Sequence, residues 1–240
     1  SEQVSEWLPI KKVVGKHYAE PNVVILQRIK AAKKPVLLGC KDETYFQRKP
    51  DKGLITKQEI RAISLAKMQL KRDSIVWDIG AGSGSIGLEA AHLCPQGRVY
   101  AIEKNGADYA IVQRNLAKAA LSNYHIEQGK APDGLYKWPD ADAIFIGGSG
   151  GNLANLIRLC LSRLKPYGTL VMNFITLENL SVATETLKQL AKESAPPLEW
   201  HFIQLQVSRS KPILTMQRLE AENPVTIVSA LRLAPYLTQE

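Results

Sequence analysis

DIGAGSGS, running from Asp78 to Ser85, follows a short apolar run (Ile75, Val76, Trp77) and precedes a helix-like run from Ile86 to Leu93. Strand, glycine-rich turn and helix in that order form the setting in which such a stretch carries weight. Glycines let the backbone turn tightly and approach a ligand with no Cβ in the way. A helix that starts at the turn points free N–H groups at whatever sits above it. Working outward, VYAIE ends at Glu103 and reads as a second strand with an acid at its tip. Glu103 lies about 20 residues past the last glycine, where a carboxylate accepts from the two ribose hydroxyls of a nucleotide-like cofactor. The glycine spacing is G-x-G-x-G (Gly80, Gly82, Gly84) with an acid two residues ahead. A dinucleotide fingerprint would read G-x-G-x-x-G and require no acid there.

The rest of the chain fits an α/β protein. Runs with strand character (Ile75–Ile79, Val99–Glu103, Tyr124–Gln128, Ala143–Ile146, Thr169–Asn173) alternate with helical runs (Ser85–Leu93, Ala107–Ala120, Leu153–Leu164, Leu177–Glu193). Alternation of this kind gives a doubly wound, mostly parallel sheet with helices on both faces. Two late strands, Glu199–Val207 and Val225–Leu231, bring the sheet to seven. The short connection between them implies an antiparallel late strand. Pro166-Tyr167-Gly168 reads as a turn. Thr56-Lys57-Gln58-Glu59 has the T-x-x-E pattern of a capping box that opens a helix through about Met68. Ligands in such sheets sit at the carboxyl ends of the strands, beside the first one. Residues 1–50 look different. NVVILQ (Asn22–Gln27) reads as a lone strand, Lys30–Lys34 as a basic connector and Gln47–Gly53 as a polar linker. One strand without a partner is no independent domain, so the boundary is placed at 50/51.

The 240 residues carry 31 Lys and Arg against 23 Asp and Glu, a net charge of +8 that suits an acidic ligand. The basic residues are dispersed apart from Lys67, Lys71 and Arg72, without an arginine-rich arm, so nucleic acid is not the expected partner. No apolar run reaches the ~18 residues of a membrane span, and no signal-peptide pattern opens the chain. Cys40, Cys94 and Cys160 are scattered and odd in number. They imply neither a disulfide framework nor a metal knuckle, and fit a reducing cytoplasm. The four histidines (His17, His92, His125, His201) share no spacing suited to a metal or a triad.

Several residues are candidates for chemistry. Asp78, at the tip of the first strand, would orient the glycine turn or reach an amine of the ligand. Gly147-Gly148-Ser149-Gly150-Gly151 stands at the start of a helix, where it would build a wall of backbone donors suited to carboxylates. Gly148, Ser149 and Gly150 are therefore substrate candidates. Arg61, one helical turn beyond Thr56, is a candidate anion ligand. Arg209, in the basic loop Ser208–Lys211 after a late strand, is a candidate carboxylate clamp through its fork geometry. No nucleophile or proton-handling residue is assigned.

The acid followed by tightly spaced glycines, with Glu103 beyond, resembles motif I of class I S-adenosylmethionine (AdoMet) methyltransferases. Within that class the resemblance narrows. GLITKQEIRAISLAKMQL (53–70), WDIGAGSGSIGLEAA (77–91), YAIEKN (100–105), GKAPDGL (129–135) and DAIFIGGSGGNL (142–153) are similar to the C15-methylating, decarboxylating component of precorrin-6Y C5,15-methyltransferases of cobalamin biosynthesis. The likeness covers about residues 41–233. It implies a class I methyltransferase domain over 51–240, with residues 1–50 as a remnant of a preceding C5-methyltransferase domain plus linker. It implies AdoMet as cofactor and S-adenosylhomocysteine as product. The cofactor would meet Thr56, Asp78, Gly80, Ala81, Gly82, Ser83 and Gly84. It would also meet Glu103 and Lys104, then Gly129, Lys130, Ala131 and Gly147. Lys130 stands where relatives often carry an aspartate for adenine. Lysine accepts no hydrogen bond, so either main-chain groups of 129–131 hold the base or Lys130 faces solvent. The implied reaction is methylation of a precorrin at carbon 15 with loss of the carbon-12 acetate carboxyl. The implied assembly is a cytoplasmic homotetramer. The alternative is an AdoMet-dependent methyltransferase acting on RNA, whose basic stripe and base-flipping motif are not evident.

Overall fold

The computed structural model describes residues 6–21, 23–27, 36–48, 55–193 and 198–234. It divides into two units, 1–35 and 36–240. The described part of the first holds a 3-10 turn, Ile10–Lys12. Val23–Gln27 carry no strand, which corrects the expectation for Asn22–Gln27. Asn22, the Lys30–Lys34 connector and residues 49–53 of the linker lie outside the described residues. The second unit starts at residue 36.

That unit contains α1 (Gln58–Lys67), β1 (Ile75–Ile79), α2 (Ser85–Leu93), β2 (Arg98–Glu103), α3 (Gly106–Ala119) and β3 (Tyr124–Gln128). There follow β4 (Ala141–Ile146), α4 (Leu153–Ser162), β5 (Leu164–Phe174), α5 (Leu177–Glu193), β6 (Leu198–Leu205), β7 (Ser208–Ile213), β8 (Met216–Ala221) and β9 (Val225–Arg232). Seven strands form one sheet in the order β3-β2-β1-β4-β5-β9-β6. Pairing is parallel from β3 through β5, and β9 runs antiparallel between β5 and β6. The doubly wound sheet with an antiparallel late strand is thus as expected. The order reverses between β1 and β4, so the loops after these two strands part and leave a crevice.

Period-two alternation sorts the central strands onto two faces. Trp77, Ile79, Ile144, Ile146, Leu170 and Met172 face the side packed by Leu156, Ile157 and Cys160 of α4 and Leu187 of α5. Val76, Ala143, Phe145 and Val171 face Ile60 and Leu65 of α1, Ile86 and Leu88 of α2 and Val112 of α3. Trp77 meets Trp138 edge to face at 5.4 Å between centroids and donates its indole N–H to the Pro139 carbonyl.

Three local readings are corrected. Pro166-Tyr167-Gly168 is not a turn ahead of the strand but an irregular first part of β5, with Tyr167 at a φ of 63°. Ser208–Lys211 is no loop; it lies in β7, which pairs with β8 in a separate two-stranded hairpin. The capping box does not form: Lys57 occupies the cap position of α1 with no side-chain hydrogen bond.

Residues 36–48, expected to fall largely within the remnant and linker of residues 1–50, form a strap on this domain. The main-chain N–H groups of Gly39 and Cys40 donate to the Glu89 carboxylate at 2.7 and 3.1 Å, and the Tyr45 hydroxyl donates to it at 3.0 Å. Phe46 donates to and accepts from the Asn115 amide at 2.7 and 2.9 Å. Arg61, fully buried, donates to Glu89 at 2.6 Å and to Asp42 of the strap at 3.1 Å. It also donates to the carbonyls of Cys40 and Thr56. Arg61 is therefore a structural cation, not the anion ligand expected. Removing one partner of a buried ion pair leaves the other charge uncompensated. Arg61→Ala is expected to lower the unfolding free energy by about 3–5 kcal/mol in urea titrations. A loss near zero would mean that Glu89 and Asp42 find other partners.

Candidate functional site

β1 ends in a turn that only glycine can build. Gly80, Gly82 and Gly84 have φ of 73°, 59° and 76°, in the left-handed region. At Gly80 a Cβ would lie 2.6 Å from the Gly148 nitrogen, so the turns after β1 and β4 touch through bare main chain. Hydrogen bonds fix this approach. The amides of Gly80 and Ala81 donate to the Ile102 carbonyl at 2.9 and 3.1 Å, and those of Gly147 and Gly148 to the Ile79 carbonyl at 2.8 and 3.4 Å. The first two amides of GGSGG are therefore spent on β1 and are not part of a free donor wall. Those of Ser149, Gly150 and Gly151 have no protein acceptor among the described residues.

Above these turns lies a cavity of about 560 Å³. It brings together Gly80 and Gly82 from the first turn and Gly147, Gly148, Ser149 and Gly150 from the second. Glu103 and Lys104 reach it from the end of β2, and Gly129, Lys130 and Ala131 from the end of β3. Thr56, just ahead of α1, lines it as well. Glu103 is buried; one oxygen accepts from the Gly82 amide at 2.9 Å and the other from the Asn105 amide at 2.8 Å. The carboxylate is thus held in place by the glycine turn itself, and each oxygen keeps lone-pair capacity for a hydroxyl donor. Lys130 is folded along the second turn, its Cγ and Cε within 3.5 Å of the Cβ position at Gly150. A bare glycine floor and a fixed carboxylate suit a nucleoside-bearing cofactor.

Other expected residues do not line this cavity. Ala81, Ser83 and Gly84 lie behind it, Gly84 capping α2. Arg209, on β7, turns its guanidinium to Glu59 at 2.5 Å and Asp42 at 3.4 Å, so its fork already grips carboxylates of the protein. Asp78 points away from the cavity into the α2 side, accepting from the Gly87 amide at 3.1 Å. A Cβ at Gly87 would meet Asp78 Oδ2 and Tyr124 Cε2, both at 2.5 Å, so α2 needs a glycine there. Asp78 holds the first turns of α2 and is not among the residues that line the cavity.

Among the polar residues at the cavity that sequence reasoning missed are Arg48, Asp108, Asn173 and Glu222. Arg48 and Asp108 form a two-point ion pair at 2.7 and 2.8 Å. Asn173, at the end of β5, is hydrogen-bonded to Ser64 of α1 at 2.9 Å. Glu222 lies 4.0 Å from the Arg209 Nε. None stands in a motif; the terminal position of Asn173 on a strand was the one available signal.

Set against known proteins, residues 47–232 match the family model described as a precorrin methyltransferase domain. The chain belongs to the precorrin methyltransferase domain family. Within this family it is 39% identical over 175 residues to the cobalt-precorrin-6B C(15)-methyltransferase (decarboxylating) of Salmonella typhimurium, covering 73% of this chain and 88% of that one. It is 31% identical over 190 residues to the precorrin-6Y C(5,15)-methyltransferase (decarboxylating) of Sinorhizobium sp, covering 79% of this chain but 43% of that longer protein. The crystal structure of precorrin-6Y C5,15-methyltransferase from Geobacter metallireducens superposes with a TM-score of 0.76 at 36% identity, over 82% of this chain and all of that one. The class I methyltransferase fold is thereby established for this precorrin methyltransferase domain.

Burial pushes the Asp78 carboxyl up from 3.8 to about 7; the Gly87 amide opposes this and the Glu103 charge adds to it. The folded protein therefore holds a proton that the unfolded chain releases near pH 4. Stability falls as pH rises from about 4 to about 7, and the full cost is present above pH 7. A rise from 3.8 to about 7 corresponds to about 4 kcal/mol as an upper bound. Asp78→Asn keeps an acceptor for Gly87 without the charge. It is expected to be more stable than the parent protein at pH 8 in urea titrations, and to converge with it at pH 4. An equal difference at both pH values would remove the buried charge as the cause.

Proposed function

We propose that the protein methylates a precorrin at carbon 15 and removes the carbon-12 acetate carboxyl as carbon dioxide, using AdoMet, in cobalamin biosynthesis. The observation that carries this reading is the single cavity where both glycine turns and Glu103 converge, within a precorrin methyltransferase domain. AdoMet, when bound, supplies an electrophilic methyl group. Glu103 accepts from the ribose hydroxyls, and the turn of Gly80–Gly84 gives the cofactor a floor without side chains. Main-chain groups of Lys104 and of Gly129–Ala131 flank the base.

The acceptor ring carbon brings its own electron pair, so the protein needs no nucleophile, only alignment of donor and acceptor. Its thiols agree with that. Burial pushes Cys160 up and Cys94 up to about 11, and neither lines the cavity. Lys57, Lys104 and Lys130 line the cavity and have no carboxylate within ion-pair distance among the described residues. We assign the substrate carboxylates to these ammonium groups, with Ser149 and Gly150, in place of Arg61 and Arg209. Ile60, Phe145, Ile175, Val207 and Val225 also line the cavity. An acetate carboxylate turned against such apolar side chains loses hydration, which favours its departure as neutral carbon dioxide while the electron pair of the broken bond passes into the conjugated ring.

The protein is further read as a cytoplasmic homotetramer. Three free cysteines support a reducing compartment. The β7–β8 hairpin carries exposed Ile213, Leu214, Met216 and Leu219, apolar surface of the kind that subunit contacts cover. Residues 1–35 are read as the end of a preceding C5-methylating domain, as the name and length of the Sinorhizobium relative support.

Mass spectrometry after incubation with AdoMet and a precorrin-6B substrate, with and without cobalt, tests the reaction. A gain of one methyl with loss of carbon dioxide is expected; a methyl gain with the carboxyl retained would refute the decarboxylation. Glu103→Ala is expected to weaken AdoMet binding at least about tenfold by calorimetry. Unchanged affinity would remove Glu103 from the ribose.

A further inference from the structure

We propose that Arg48, supplied by the strap, is a positioning residue for the adenosine half of the cofactor, clamped by Asp108. The proposal rests on the AdoMet reading above and adds to it a contact that neither motif I nor the acid after β2 contains.

The geometry is built rather than incidental. Arg48 Nε and Nη2 meet the two Asp108 oxygens at 2.7 and 2.8 Å, a bidentate pair. Asp108 is buried in the first turn of α3, five residues beyond Glu103. Asn105 is the N-cap of that helix, its side chain accepting from the Ala107 and Asp108 amides. Two residues before Arg48, both main-chain polar groups of Phe46 are held by Asn115, and the Arg114 guanidinium lies 4.1 Å over the Phe46 ring. Asn115 also donates to the Ser83 carbonyl at 2.8 Å. One buried amide thus joins the strap to the glycine turn, and Arg48 has little freedom left to lose on binding a ligand.

Charge decides what Arg48 receives. Both oxygens of Asp108 are engaged by one guanidinium, so the pair is close to neutral and offers little to a carboxylate. It still has three N–H donors and a planar face. That combination suits a neutral, aromatic, hydroxyl-bearing group. The unpaired ammonium groups of Lys57, Lys104 and Lys130 suit the opposite. Arg48 also shares the cavity wall with Glu103, Lys104 and Asn105, the ribose side. Its donors and planar face add to the main-chain groups of Lys104 and Gly129–Ala131 around the base, which supply the acceptors that Lys130 and Arg48 lack.

Calorimetry on the full chain separates the alternatives, with S-adenosylhomocysteine and methylthioadenosine as ligands. The second retains adenosine and lacks the amino-acid arm. Arg48→Ala is expected to weaken both by the same factor, about tenfold. Arg48→Lys is expected not to restore binding, because an ammonium has neither the fork nor the plane. Should the alanine variant fail to fold, Arg48→Lys, which keeps the charge and the aliphatic stem, carries the test with the same expected loss. Parent-like affinity for both ligands overturns the proposal. Loss confined to S-adenosylhomocysteine also overturns it, by moving Arg48 to the methionine end. A parent protein that binds neither ligand would instead refute the cofactor reading itself.

Discussion

Two main chains approach each other at Gly80 and Gly148 more closely than any side chain permits, and the cofactor site is organised around that approach. The switch of strand order between β1 and β4 opens a crevice, but a crevice alone does not shape a floor. The floor arises because Ile79 and Ile102, the last apolar residues of two neighbouring strands, each offer a carbonyl that receives two successive amides from an adjoining turn. Those four hydrogen bonds draw the turns inward until only hydrogen atoms fit between them. Glu103 then completes the arrangement by gripping the Gly82 amide. Glycines nearly seventy positions apart are thus required by one steric condition.

The other demanding feature is electrostatic. The α1–α2 side of the domain buries Arg61 and Glu89 together, with Asp42 and Tyr45 of the strap against them. Burying such groups is costly unless every one is paired. Here the pairing is shared among three segments, so no single segment satisfies it. The cation and anion serve mainly to define which strap fits where.

Much of this was legible in the sequence, and the reasons are local. β1, α2, β3 and α5 have the bounds their patterns implied, because each is a clear apolar period that stops at glycine or a polar turn. The antiparallel β9 followed from a connection too short for a crossover. Failures arose where chemistry is non-local. Arg61 on a helix reads the same whether it faces water or a buried carboxylate 28 residues further along the chain; only the fold reveals Glu89 beneath it. The β7–β8 hairpin alternates polar residues on both faces and so lacks the apolar signal of a strand. Pro166-Tyr167-Gly168 has turn composition, yet β4 draws it into the sheet through an irregular register. The strap was unreadable because its anchors are single side chains on three different helices, without any period.

The strap also orders events during synthesis. Its residues leave the ribosome before the groups that bind them, since Glu89 follows Tyr45 by 44 positions and Asn115 follows Phe46 by 69. At translation speeds of about 5–20 residues per second, seconds pass before α3 is available. During that interval Arg61 has Asp42 of the strap beside it but not yet Glu89, and the glycine turn has no Asn115 to steady it. Docking of the strap is therefore a late step of domain folding, and the cofactor site reaches its final form only once the earliest part of the domain has found the middle of its own chain.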